Sequence, residues 1–281
     1  MSLLRWGTLA VAVASESLNP APAPARGGYA EGYAPVARVF ASQLADGAEV
    51  GAALAVYRRG AKVVDLWGGL ADAPSARPWE HDTRVVVFSV TKGFMAMALH
   101  LLADRGQLDW DAPVAAYWAG FAKNGKGDVT VRMLANHEAG LPYLDAPLTL
   151  AQCADPAAAA LVTRALEDQS LAWTPGEAQG YHALTFGLYA RELFERIAGE
   201  PLGPFLRREL FEPLGSDVHV GTPASEDGRV ASLYPPPTPS RLARMIGAAV
   251  LQPRSTEARV LRTAIARGSI ARRAFLHPKP G

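Results

Sequence analysis

"VVVFSVTKGFMAMALHLL", Val85 to Leu102, is apolar almost throughout, yet it carries an ammonium, Lys92, three positions after a hydroxyl, Ser89. The run is long enough to cross a bilayer, but Ser89, Thr91, Lys92 and His100 lie inside it and no charge asymmetry flanks it. A buried helix is expected instead, led in by Val85 to Phe88, running from about Ser89 to Arg105 and closed by Gly106. Apolar residues on nearly every face predict that it runs through the middle of the protein.

Upstream, "YAPVARVFASQLADG" has helical spacing and stops at Gly47, and "VGAALAVYRRGAKVVDLWGG" reads as a β-hairpin turning at Arg58-Arg59-Gly60. Ala71 to Asp82 is turn-rich. Downstream, "DVTVRMLANHEAGLP" predicts a short helix from after Asp128 to Gly140, and further helices fit Ala151 to Ala165, Ala183 to Ala198 and Pro204 to Phe211. Irregular "GTPASEDG" and extended "LYPPPTPS" follow. One hairpin and then many helices is an α+β pattern rather than alternating βαβ units.

Composition narrows the chemistry. The chain has 281 residues, 49% of them hydrophobic, with 28 Lys plus Arg against 27 Asp plus Glu. That balance gives phosphate backbones and anionic membranes nothing to attract, so nucleic acid is not an expected partner. The single cysteine, Cys153, allows no internal disulfide, and no Cys/His cluster has zinc spacing. Residues 1–26 read as a flexible tail ahead of a single domain over 27–281. A cytoplasmic location is expected; Ala12-Val13-Ala14 after a short apolar patch leaves secretion as the alternative.

Ser89 and Lys92 form the only Ser-x-x-Lys in the chain, and with 13 Ser and 5 Lys chance supplies about 0.2 such pairs. On a helix, positions three apart share a face, so the amine can reach the hydroxyl. A lysine in apolar surroundings resists its charge and can help take a serine proton. The bland reading is that Ser89 caps the helix while Lys92 reaches outward on its stem. Gly-x-Ser-x-Gly, His-Glu-x-x-His and Walker A patterns are absent.

The motifs around and after this pair shift the balance. "VFSVTKG", "VRMLANHEAGLP" and "WTPGEAQGYHALTFG", in this order, resemble the serine β-lactamase-like superfamily, most closely its class C-like esterases, the family VIII carboxylesterases. "VGAALAVYRRGAKVVDLWGGLAD" is similar to the family's opening hairpin, and the likeness runs from about Gly27 to about Tyr234. It implies a β-lactamase/transpeptidase-like α+β fold, an antiparallel sheet flanked by helices plus a helical lobe. It also implies that Ser89 is the acylated nucleophile, Lys92 its proton partner and Tyr181 a general base or relay. A phenol with its ordinary pKa near 10 is a poor base, so Tyr181 would need the neighbouring ammonium to favour phenolate. No metal or organic cofactor is implied.

Departures refine the expectation. Where β-lactamases and transpeptidases of the superfamily have Tyr-x-Asn, this chain has Ala183, which favours a small-molecule carboxylic ester over a β-lactam or peptide. His182 is expected to be a satisfied neighbour of the site, and His137 to cap a helix and interact with its dipole. "ANHEAGLPYLDAPLTL" and Leu171 to Gly180 are expected to border the cleft. Nothing after Tyr234 resembles the family's third motif, so the C-terminal strands are expected to be absent. A β-lactamase or D-Ala-D-Ala peptidase, and a non-catalytic remnant or binding module, stay open as alternatives.

Overall fold

The computed structural model describes residues 24–234 and Gly247. Two compact units account for the described chain, one of residues up to Val86 together with Thr222–Tyr234, the other centred on Val87–Gly221.

The first unit is a sheet with one helix against it. β1 (Arg26–Tyr29), β2 (Gly51–Arg58) and β4 (Arg77–Pro78) are all antiparallel to β3 (Ala61–Asp72), which lies between β1 and β2 and pairs with β4 at its far end. The expected hairpin is present. Arg58 pairs with Ala61 across Arg59 and Gly60, both at positive φ (50° and 82°), the backbone of a type I′ turn whose twist matches that of the strands. A register shift between Val56 and Tyr57 marks a bulge. Leu54 opposite Leu66 and Val56 opposite Val64 present one face to Phe40 and Leu44 of α1 (Ala34–Ala45). Ala53 and Ala55, one residue out of phase, are exposed. α1 ends before Gly47 at φ 68°, as its sequence predicts.

β1 and β4 were not expected. β1 reaches Arg26, opposite Trp67, so the predicted tail overlaps the sheet by one residue; residues 1–23 lie outside the described residues. The same sheet unit takes in a distant segment. Arg84 N–H donates to the Arg229 carbonyl and Ala231 N–H to that of Arg84, and Ser232 N–H donates to the Ala71 carbonyl. Asp72 then accepts from the Ser75 hydroxyl at 2.5 Å, the Ser232 hydroxyl at 2.6 Å and the Tyr234 hydroxyl at 3.2 Å. These hydrogen bonds hold its carboxyl far below the usual carboxylate range.

The second unit is helical: α2 (Thr91–Asp104), α3 (Val131–Ala135), α4 (Leu150–Ala154), α5 (Ala159–Asp168), α6 (Thr185–Ala198) and α7 (Leu202–Leu206). Met95, Ala98, Leu99 and Leu102 form the buried stripe of α2 and join a core with Phe186, Tyr189, Leu193 and Phe194 of α6 and Phe205 of α7. Burial of a leucine such as Leu99 stabilises the unit by roughly 1.5–3 kcal/mol.

The expectation that α2 is apolar and buried all round is corrected: Gly93, Met97 and His100 are exposed, as are Val85 to Val90 leading in. The helix also begins later than predicted, because Phe88–Val90 is a 3-10 turn and Thr91 is the first α-helical residue. The single helix expected over Ala151 to Ala165 is two, separated by a 3-10 turn at Pro156, whose ring cannot continue a helix from α4. The expected last helix is α7 followed by a π turn, Arg207–Phe211, and "GTPASEDG" contains a 3-10 turn, Ala224–Arg229. The part of "LYPPPTPS" beyond Tyr234, and the expected absence of the C-terminal strands, fall outside the described residues.

Candidate active site

Ser89 sits at the centre of the 3-10 turn that precedes α2, following Phe88 at φ 44°. A left-handed phenylalanine costs on the order of 1 kcal/mol or more, and such strain tends to collect where a side chain has to be presented. The Ser89 side chain caps nothing: the N-cap of α2 is Val90, with no side-chain hydrogen bond. Ser89 is exposed, and its hydroxyl is engaged from two sides.

Lys92 Nζ, on the first turn of α2, donates to Ser89 Oγ at 3.0 Å and to the Ala183 carbonyl at 2.8 Å. Tyr181 Oη donates to Ser89 Oγ at 2.7 Å. Lys92 Nζ also lies 4.9 Å from the centre of the Tyr181 ring, so the ammonium faces an aromatic surface and two oxygens. Of the three residues named from sequence, Lys92 and Tyr181 thus each reach Ser89 Oγ within hydrogen-bonding distance. The Ser89 hydrogen bond, assisted by the Lys92 ammonium, holds the Tyr181 phenol below the usual tyrosine range, although partial burial opposes this.

The segment carrying Tyr181 is fixed by two histidines. His182 is fully buried; its Nε2 accepts the Leu141 N–H at 2.9 Å, so its Nδ1 carries the proton and donates to the Gly180 carbonyl at 2.5 Å. Burial pushes its pKa down to about 4, so it stays neutral. This agrees with the expectation of a satisfied histidine beside the site.

His137 does end the helix, as expected, but not with its side chain. α3 stops at Ala135 instead of Gly140 because His137 takes a left-handed conformation (φ 63°), with His137 N–H donating to the Leu134 carbonyl and Glu138 N–H to that of Met133. That is a Schellman ending, with histidine where glycine is usual. The cap is made by the backbone alone. The imidazole turns the other way: its Nδ1 accepts the His182 N–H at 3.2 Å and its ring meets that of Tyr181 edge-on at 5.0 Å. Sequence reasoning missed this neighbour of the site. The signal available was a histidine, a residue more tolerant of positive φ than most, just past a helix.

The two segments expected to border a cleft are bonded to each other. Ala172 N–H donates to the Gly140 carbonyl, Gly176 N–H to that of Glu138 and Gly180 N–H to that of His137. Gly180 is required here because a Cβ on it would lie 2.6 Å from Cη2 of Trp173. Among the described residues no cluster of His, Cys, Asp or Glu could hold a metal ion, and no helix is long and apolar enough to cross a membrane.

A hydroxyl at a strained turn, one helical step ahead of a lysine and touched by a phenol, on an α+β scaffold, is the arrangement of serine hydrolases of the β-lactamase type. The model of the Beta-lactamase family matches residues 36–270, and the chain belongs to that family. The match extends beyond Tyr234, where the motif resemblance stops. The esterase/beta-lactamase LipL of Mycobacterium tuberculosis is 41% identical over 209 residues, 73% of this chain and 47% of the relative. Among solved structures, a family VIII carboxylesterase aligns with TM-score 0.69 and 40% identity over 75% of this chain and 57% of its own. A penicillin-binding protein homologue from Caulobacter crescentus aligns with TM-score 0.70 and 36% identity over 76% and 57%. The chain therefore spans about half the length of these relatives.

Proposed function

We propose that the protein hydrolyses carboxylic esters of small molecules through an acyl-enzyme on Ser89. The observation that carries this reading is the pair of contacts on Ser89 Oγ, from Lys92 at 3.0 Å and Tyr181 at 2.7 Å. With Lys92 as ammonium, Tyr181 as phenolate takes the Ser89 proton while Oγ attacks the ester carbonyl carbon. The oxyanion forms against the Ser89 backbone N–H. When the intermediate collapses, the alkoxide leaves with the proton held by Tyr181. Water then attacks the acyl carbon, passing its proton to the phenolate, and Ser89 departs with that proton.

Ester is favoured over amide by position 183. Alanine there offers a substrate no side-chain hydrogen bond, and its carbonyl is taken by Lys92. A β-lactam is the second reading, favoured by the relative whose name joins esterase and beta-lactamase. Two assays separate them: turnover of p-nitrophenyl esters against turnover of a chromogenic cephalosporin.

The test of the nucleophile is intact mass after exposure to a fluorophosphonate, for the wild type and Ser89→Ala, with peptide mapping. A single adduct on Ser89, missing from the variant, supports the reading. A folded wild type that takes no adduct overturns it in favour of a non-catalytic role.

A further inference from the structure

We propose that His137 is a positioning residue for Tyr181, and that it holds the proton-transfer pair in register only while its imidazole is neutral. Three observations lead there. His137 occupies a left-handed position at φ 63° that glycine would take without strain, so the side chain is retained at a cost. Its ring packs in a T-shaped arrangement against that of Tyr181, the phenol that touches Ser89, with centroids 5.0 Å apart. Its Nδ1 accepts the His182 N–H, and its own carbonyl accepts the Gly180 N–H. His137 is therefore bonded on both sides of Tyr181, to the residue before it and the residue after.

The same short segment ends in Ala183, whose carbonyl holds Lys92. Both groups that touch Ser89 thus depend on the placement of residues 180–183, and His137 is what that segment leans on. The groups that face its imidazole are Lys92 from α2 and Tyr181 and His182 from the segment itself; Phe186 of α6 adds an apolar ring at 5.1 Å. Protonation would put an N–H at Nδ1 against the His182 N–H, donor facing donor, and a second cation near the Lys92 ammonium. Burial and Lys92 accordingly hold the imidazole below its ordinary value. Once the pH falls below that lowered value the imidazole is protonated and the support of Tyr181 is lost.

The kinetic arm of the test rests on Ser89 being the nucleophile; the spectroscopic arm does not. Labelling rates with a fluorophosphonate are measured against pH for the wild type, His137→Asn and His137→Ala, with circular dichroism as the check of folding. Asparagine places Oδ1 where Nδ1 stood, tolerates positive φ and does not titrate. In the acid range the wild-type rate is expected to steepen from about tenfold to about a hundredfold per pH unit, as loss of the phenolate and of neutral His137 combine. His137→Asn is expected to keep the shallower slope throughout, and His137→Ala to label about tenfold or more slowly at neutral pH. Superimposable wild-type and His137→Asn profiles overturn the proposal.

If the wild type takes no label on Ser89, the hydrolase reading fails, and the phenol of Tyr181 decides about His137. Ultraviolet difference titration against Tyr181→Phe is expected to show that phenol rising toward the usual tyrosine range in His137→Ala and, if that variant does not fold, in His137→Gly, which keeps the left-handed backbone without the side chain. An unchanged titration overturns the positioning role.

Discussion

The carbonyl of Ala183 and the ammonium of Lys92 are joined at 2.8 Å across 91 residues of chain. This contact ties α2, which presents Ser89, to the segment that presents Tyr181, so losing Lys92 removes a contact to Ser89 Oγ and a structural tie together. Lys92→Met is expected to slow fluorophosphonate labelling about a hundredfold or more, and to lower stability by about 1–3 kcal/mol where the Ala183 carbonyl is left unpaired. Urea unfolding beside the labelling assay checks both; a variant labelled as fast as wild type would refute the role of the lysine.

Tyr181→Phe deletes one hydroxyl from a half-exposed ring. Its expected signature is a fall of about 10²–10⁴ in ester turnover with a melting temperature close to that of wild type. Retention of more than a tenth of the activity would show that Lys92 alone moves the proton.

Gly180→Ala places a methyl 2.6 Å from the Trp173 ring, one residue before Tyr181. Overpacking of this kind costs about 1–3 kcal/mol, and here the strain falls on the segment that carries Tyr181. The expected result is a loss of turnover larger than the loss of stability explains, with the KM for a p-nitrophenyl ester nearly unchanged. Equal losses in kcat and stability curves would count against it.

His182 contributes stability that depends on pH. Its pKa falls from 6.5 to about 4 on folding, so between these values the unfolded chain binds a proton that the folded chain refuses. The contribution is complete above pH 6.5 and is lost as pH falls toward 4. The difference in urea midpoint between wild type and His182→Gln is expected to shrink over that window; a constant difference would contradict the buried neutral imidazole.

Lys126 behaves in the alkaline range. It is fully buried, donating to the carbonyls of Glu167 at 2.7 Å and Gln169 at 2.5 Å at the end of α5, and burial lowers its pKa from 10.5 to about 8. Between pH 8 and 10.5 the unfolded chain is again the more protonated, so the stability of wild type relative to Lys126→Met is expected to rise with pH. Thermal melts of both proteins at pH 7.5 and 10, near the ends of that window, check the sign.

How far the sequence reaches can be judged from these same residues. The Ser89/Lys92 pair was legible because positions three apart share a helix face and the accompanying motifs outweigh the reading of Ser89 as a plain cap. The hairpin at Arg59-Gly60 was legible because its turn chemistry is local. β1 and β4 were not: four exposed residues and two residues carry no periodicity, and their pairing with β3 is decided by tertiary contact. The end of α3 was missed because His137 stops the helix through a backbone conformation that a glycine would have announced and a histidine conceals. Lys126, charged and fully buried, has no sequence signature at all.

Asp72 has a consequence for the order in which the chain becomes native. Its partners Ser232 and Tyr234 lie 160 and 162 residues downstream, beyond the whole helical unit. The first compact unit to begin emerging during synthesis is therefore the one that closes last, since its final hydrogen bonds wait for more than half the chain to be made. Contacts of such high sequence separation slow folding, because loop-closure entropy is lost before they form. Hydrogen exchange during refolding would register this as late protection at Ala73 and Ser232, after the amides of α2 and α6.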